Sequence, residues 1–100
     1  GETLDFGDIE LDAGSHRVRR GGEVLHLGPT EFRLLRYFME RPGRVLSRQQ
    51  ILDGVWGMDS DIDERTVDVH IRRLRKAINR SGESDPIRTV RAAGYAMDVG

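Results

Sequence analysis

The densest chemistry in this 100-residue chain lies between Arg65 and Lys76, where Arg65, Arg72, Arg73, Arg75 and Lys76 share one stretch with Thr66, Val69 and His70. Val67, Ile71, Leu74 and Ile78 recur every three or four residues, which a helix turns into one apolar face. With Thr66 at 0° and about 100° per residue, those four fall between about 80° and 140°. Arg65, Val69, Arg72, Arg73 and Lys76 fall between about 240° and 340°, and His70 near 40°. Cations on the side of a helix that faces away from its core suit a polyanion. Guanidinium forks match phosphate and the edge of guanine, and an exposed Val69 beside Thr66 offers apolar contact to thymine methyls. A merely solvated helix would mix acids into that arc, yet Asp68 alone lies near it.

The formal net charge of −1 conceals an asymmetry. From Arg65 to Arg91 there are eight basic and three acidic residues, so the rest of the chain carries six negative charges. Such a dipolar distribution fits a molecule with one face for nucleic acid. Other chemistries lack their residues. The absence of cysteine excludes a disulfide scaffold, a thiolate zinc site and a cysteine nucleophile. His16 and His26 have no carboxylates at ligand spacing, and no Ser/His/Asp order comes with a supporting turn. Asp59-Ser60-Asp61-Ile62-Asp63 opens like a calcium loop, but its sixth position is Glu64 where glycine belongs and its twelfth is His70 where glutamate belongs. Asn79-Arg80-Ser81 matches a glycosylation triplet of a kind common by chance. No metal, no cofactor and no enzymatic activity are expected.

The elements that must hold the basic stretch read in order. Ile9 to Asp12 alternates apolar and polar, Asp12 to Ser15 is a turn, and His16 to Arg20 pairs with Glu23 to Leu27 across Gly21-Gly22, giving a small antiparallel sheet. Pro29 opens a first helix with Glu31 in its first turn; Phe32, Leu35, Phe38 and Met39 form its inner face, and Arg41-Pro42-Gly43 stops it. Ser47 to Gln50 is a capping box, with Leu46 and Ile51 as its hydrophobic staple. The second helix that follows buries Ile51, Leu52, Val55 and Trp56 and ends at Gly57. An acidic connection, 58–63, leads to the third helix, expected over Glu64–Asn79 with Asp63 as its cap. Ile87 to Arg91 and Tyr95 to Val99 make a closing hairpin with Arg91 at its tip. One domain over residues 1–100 is expected, and the opening Gly1 suggests an excised domain or a tag scar. No apolar run approaches the ~20 residues of a membrane span, and cytoplasmic residence is expected.

Three helices and a basic hairpin follow the plan of a winged helix-turn-helix. Gly28-Pro29-Thr30-Glu31-Phe32, Leu46-Ser47-Arg48, Val55-Trp56-Gly57, the run from Arg65 to Lys76, and Thr89-Val90-Arg91 with Gly94-Tyr95 resemble the OmpR/PhoB-type effector domain of bacterial two-component response regulators. The likeness covers almost the whole chain, and the third helix is most similar to the phosphate-regulon members. The resemblance implies an α+β fold: an N-terminal four-stranded antiparallel sheet, a three-helix body and a C-terminal wing. It also implies binding of double-stranded DNA at direct-repeat promoter sites as tandem head-to-tail copies, under a receiver domain absent from this sequence. By the same likeness Thr66, Val69 and Arg73 approach bases. Arg48, Arg65, His70, Arg72, Arg75, Lys76, Thr89 and Tyr95 hold the DNA backbone, and Arg91 enters the minor groove. The loop residues Trp56, Gly57, Ile62 and Glu64 would touch the RNA polymerase sigma subunit, although Trp56 also reads as core. The chain departs from the family pattern at Ala92, where glycine commonly follows the wing arginine, at Met97, and at Met58 to Asp61. The alternatives are an effector domain of another OmpR-type regulon and, of another class, a winged-helix module whose third helix meets an acidic protein.

Overall fold

The computed structural model describes residues 2–58, 61–80 and 84–98. Asp59 and Ser60 of the acidic connection, Ser81 of the glycosylation triplet, Glu83, and Val99 of the expected last strand lie outside the described residues.

Four short strands open the chain: β1 (Thr3–Phe6), β2 (Ile9–Asp12), β3 (Arg17–Arg20) and β4 (Glu23–Leu25), an antiparallel sheet in sequence order. Leu11 faces Val18 and Val18 faces Leu25 across the ladder, so one sheet face is apolar and buried. The Gly21-Gly22 turn has φ of 58° and 86°, the left-handed backbone that a two-residue hairpin of matching twist requires. His16, expected within a strand, lies in the preceding turn at φ 56°, and β4 stops two residues short of Leu27.

Helix α1 (Pro29–Met39) begins with proline in its first turn, where a missing N–H costs nothing. Its buried side also includes Leu34. Helix α2 (Arg48–Val55) carries the expected capping box, with Ser47 Oγ accepting from Gln50 N at 3.0 Å and Gln50 Oε1 accepting from Ser47 N at 2.9 Å. Helix α3 (Glu64–Ile78) is capped by Asp63, whose carboxylate accepts from Arg65 N at 2.9 Å. Each helix packs on the other two, and Val67, Ile71, Leu74 and Ile78 are fully buried between them.

One strand escaped the sequence pattern. Val45–Leu46 forms β5, which pairs with β7 (Gly94–Met97), and β7 pairs with β6 (Ile87–Val90), so the closing hairpin is two strands of a three-stranded sheet. Gly94 permits this pairing: a Cβ there would stand 2.0 Å from the Leu46 carbonyl oxygen. Because β5 runs directly into the α2 cap, the pairing sets Arg48 beside Tyr95. The wing strands are also shorter than expected, leaving Arg91 in the turn. The fold is α+β, with a four-stranded sheet, a helical body and a C-terminal wing, and no helix among the described residues is long and apolar enough to cross a membrane.

Candidate nucleic-acid interface

Burial of the α3 apolar stripe forces its opposite side outward. Arg65, Arg72, Arg73 and Lys76 are exposed there, and their side chains make no hydrogen bond or ion pair with the described residues. Val69 is 44% exposed in their midst and Thr66 is half-buried, so the outer face carries one small apolar patch inside a cationic rim. Arg91 is likewise exposed and unpaired among the described residues, at the tip of the β6–β7 hairpin.

The two edges of α3 behave differently. On the wing side, Asp68 Oδ1 accepts from Arg48 Nε at 2.7 Å and from the Tyr95 hydroxyl. The Tyr95 ring lies under both the Arg48 and the Arg75 guanidinium, with centroids 5.2 and 5.6 Å away. Arg75 donates through Nη2 to the Ile87 carbonyl at 2.9 Å and to Thr89 Oγ1 at 2.7 Å. Its Nε stands 3.0 Å from Asp85 Oδ2, near enough for ion pairing but not aligned as a hydrogen bond. Burial and the Asp68 carboxylate push the Tyr95 hydroxyl above the usual tyrosine range. Burial alone would raise Asp68, but its bonds from Tyr95 and Arg48 outweigh that and hold it below the usual carboxylate range.

On the other edge His70 turns inward. Its Nδ1 meets Glu31 Oε1 of α1, and its ring lies 5.3 Å from Trp56, tilted by 55°. The helical wheel explains the direction, since about 40° is closer to the buried stripe than to the basic arc.

The expected site residues therefore separate into groups. Thr66, Val69, Arg73, Arg65, Arg72 and Lys76 share the outer face of α3 as anticipated. Arg48, Arg75 and Thr89 stand at the rim but are already engaged within the molecule. Tyr95, expected at the DNA backbone, is 5% exposed with its hydroxyl given to Asp68, because β5 covers β7 on one side. His70 is only 16% exposed at its side chain and bonded to α1. In the α2–α3 connection, Gly57 and Glu64 are exposed, while Trp56 and Ile62 are half-buried against the core. Spacing alone missed Asp68 and Glu31; an acid on the basic helix and an acid opposite its histidine were the available signals. Among the described residues no group of three metal-ligating side chains converges.

Comparison with known proteins agrees with this geometry. The family model described as "Transcriptional regulatory protein, C terminal" matches residues 22–97. The phosphate regulon transcriptional regulatory protein PhoB of Rhizobium meliloti (strain 1021) is 63% identical over 95 residues, covering 95% of this chain and 42% of that protein. PhoB of Escherichia coli (strain K12) is 51% identical over 98 residues, covering 98% and 43%. The chain thus spans less than half the length of these relatives. Among solved structures, the Klebsiella pneumoniae RstA DNA-binding domain in complex with RstA box superposes with a TM-score of 0.85 at 33% identity, covering 98% of each chain. The DNA-binding domain of E. coli CadC gives 0.88 at 28% identity, covering 100% of this chain and 94% of that one. With its three-helix body, its wing and these relatives, the chain belongs to the OmpR/PhoB-type DNA-binding domains of transcriptional regulators, a family of regulators and not of enzymes.

Proposed function

We propose that this chain reads double-stranded DNA sequence-specifically as the effector domain of a phosphate-regulon response regulator. Helix α3 enters the major groove and the β6–β7 hairpin reaches the adjacent minor groove. The observation that carries this is the outer face of α3: four exposed cations whose side chains make no hydrogen bond or ion pair with the described residues surround Thr66 and exposed Val69, opposite a fully buried stripe. A major groove admits one such helix and distinguishes all base pairs there, while a narrow minor groove attracts a guanidinium such as Arg91. Thr66, Val69 and Arg73 read bases; Arg65, Arg72 and Lys76 meet phosphates, and Arg48, Arg75 and Thr89 join them from the rim. His70 and Tyr95 act through the residues they hold in place.

The phosphate assignment rests on the two regulators named above, and a receiver domain would occupy part of their additional length. Tandem head-to-tail copies on direct repeats, action in the cytoplasm and a contact to the polymerase sigma subunit complete the reading. For that contact the exposed Gly57 and Glu64, with the outer edge of Trp56 and Ile62, form the available surface.

Selection of bound duplexes from a random library, followed by titration, tests it. Arg73→Ala should cost about 1–3 kcal/mol on the selected site and relax preference at one base pair. Equal losses on selected and random duplexes would remove Arg73 from base reading. No mobility shift on any duplex at low salt would favour the protein-interaction alternative. Glu64→Ala in the full-length regulator should retain DNA affinity and lower transcription in vitro; unchanged transcription would remove Glu64 from the polymerase contact.

A further inference from the structure

Asp68 is the single acidic residue of α3 beyond its first turn, and it sits at helical neighbour spacing from Arg65 and Arg72. Its Oδ1 takes Arg48 Nε at 2.7 Å and the Tyr95 hydroxyl, joining the start of α2, α3 and β7. The pair lies at the surface, with side-chain exposures of 33% for Arg48 and 40% for Asp68. Ion pairs that exposed contribute little to folding, so what Asp68 adds to stability comes through the buried Tyr95 hydroxyl, and its hold on Arg48 is left for another role. That role is electrostatic: on the face turned toward phosphates, Asp68 cancels the charge of Arg48 and ties the guanidinium down beside the Tyr95 ring.

We propose that Asp68 is a positioning residue that withholds Arg48 from the DNA backbone until bases are read. On a random duplex Arg48 stays with Asp68. When Thr66 and Val69, on the same turn of α3, seat against their bases, a phosphate comes within reach and takes Arg48 over. Asp68 thereby lowers non-specific affinity without lowering specific affinity equally, which raises discrimination. The inference depends on the DNA-binding function proposed above.

The test compares the chain with Asp68→Asn, Asp68→Glu and Asp68→Asn/Arg48→Gln on a selected and a random duplex, by fluorescence anisotropy across a salt series. Asp68→Asn should bind the random duplex about fivefold tighter at physiological salt and steepen its log–log salt slope by about 0.9, one phosphate's share. The ratio of selected to random affinity should fall by a similar factor. Asp68→Glu, which keeps the carboxylate, should keep the wild-type slope, and adding Arg48→Gln should abolish the gain. A folding defect would weaken binding instead of steepening the slope, and thermal melts of each variant identify it. If wild type discriminates the duplexes and Asp68→Asn leaves the random slope unchanged, the proposal is overturned while DNA reading stands. A gain that survives Arg48→Gln overturns it too, since bulk charge would then suffice. Failure of the wild type to bind either duplex would instead remove the DNA-binding function beneath it.

Discussion

Ala92 holds the hairpin tip at φ 65°, a left-handed backbone that crowds the Cβ of any L-residue. Ala92→Gly should relieve that crowding, while the freer unfolded chain of glycine takes part of the gain back. A net stabilisation of about 0.5–1 kcal/mol is expected, read as a higher midpoint in denaturant with an unchanged slope. A lower midpoint would show that the tip carries no strain. The sequence marked Ala92 as unusual, and it also disclosed Ser47 and Asp63 as caps, because a cap bond spans two or three residues. It could not disclose the partners of Arg48 and His70, which lie 20 and 39 residues away along the chain. Local spacing reports which way a side chain leaves its helix. What it meets there depends on packing.

The same division holds for whole elements. All three helices were legible because each carries a long periodic stripe with its own start or stop signal, and α3 has the clearest such pattern. β5 was not, since two residues with one buried and one exposed side chain hold no period to detect. Yet β5 fastens α2 to the wing and builds the Arg48–Asp68–Tyr95 junction, whose pH dependence can be assigned a sign. Asp68 is held below its usual range when folded, so its contribution is present above the usual carboxylate range and is lost as pH falls through the lowered value. Tyr95 is pushed above its usual range, so its contribution is present below the usual tyrosine range and is lost as pH rises through the raised value. In Tyr37→Phe, Tyr95 is the sole tyrosine, and near-ultraviolet absorbance should follow it ionising above the usual range. Adding Asp68→Asn should shift that titration downward. Ionisation at the ordinary tyrosine value in the folded protein would contradict the junction.

Across the whole molecule, the N-terminal sheet is tied to the far end of α3 by one buried charge, Arg20, which is 7% exposed. Its Nε meets both Asp8 oxygens at 3.1 and 3.2 Å; Nη1 reaches the Ile78 carbonyl at 2.9 Å and Asn79 Oδ1 at 2.6 Å, and Nη2 reaches the Ser84 carbonyl at 2.6 Å. A guanidinium placed against the last carbonyls of a helix also complements its dipole. The β3 pattern gave no hint of this, because Arg20 reads as the polar end of a strand and its partners lie 12 residues earlier, at Asp8, and 58 to 64 residues later. Arg20→Met keeps the bulk and removes the donors, stranding the buried Ile78 carbonyl, while the carbonyl of exposed Ser84 can turn to water. Asp8 is 52% exposed at its side chain and can rehydrate, so the loss should fall short of that for a fully buried ion pair. About 2–3 kcal/mol is expected, measured by chemical denaturation. The arginine stands at the helix end and not on its outer face, so folded Arg20→Met should bind duplex with the wild-type salt slope. A shallower slope would mean that Arg20 contributes charge to the interface, and an unchanged denaturation midpoint would mean that the sheet and α3 are held together by their apolar contacts alone.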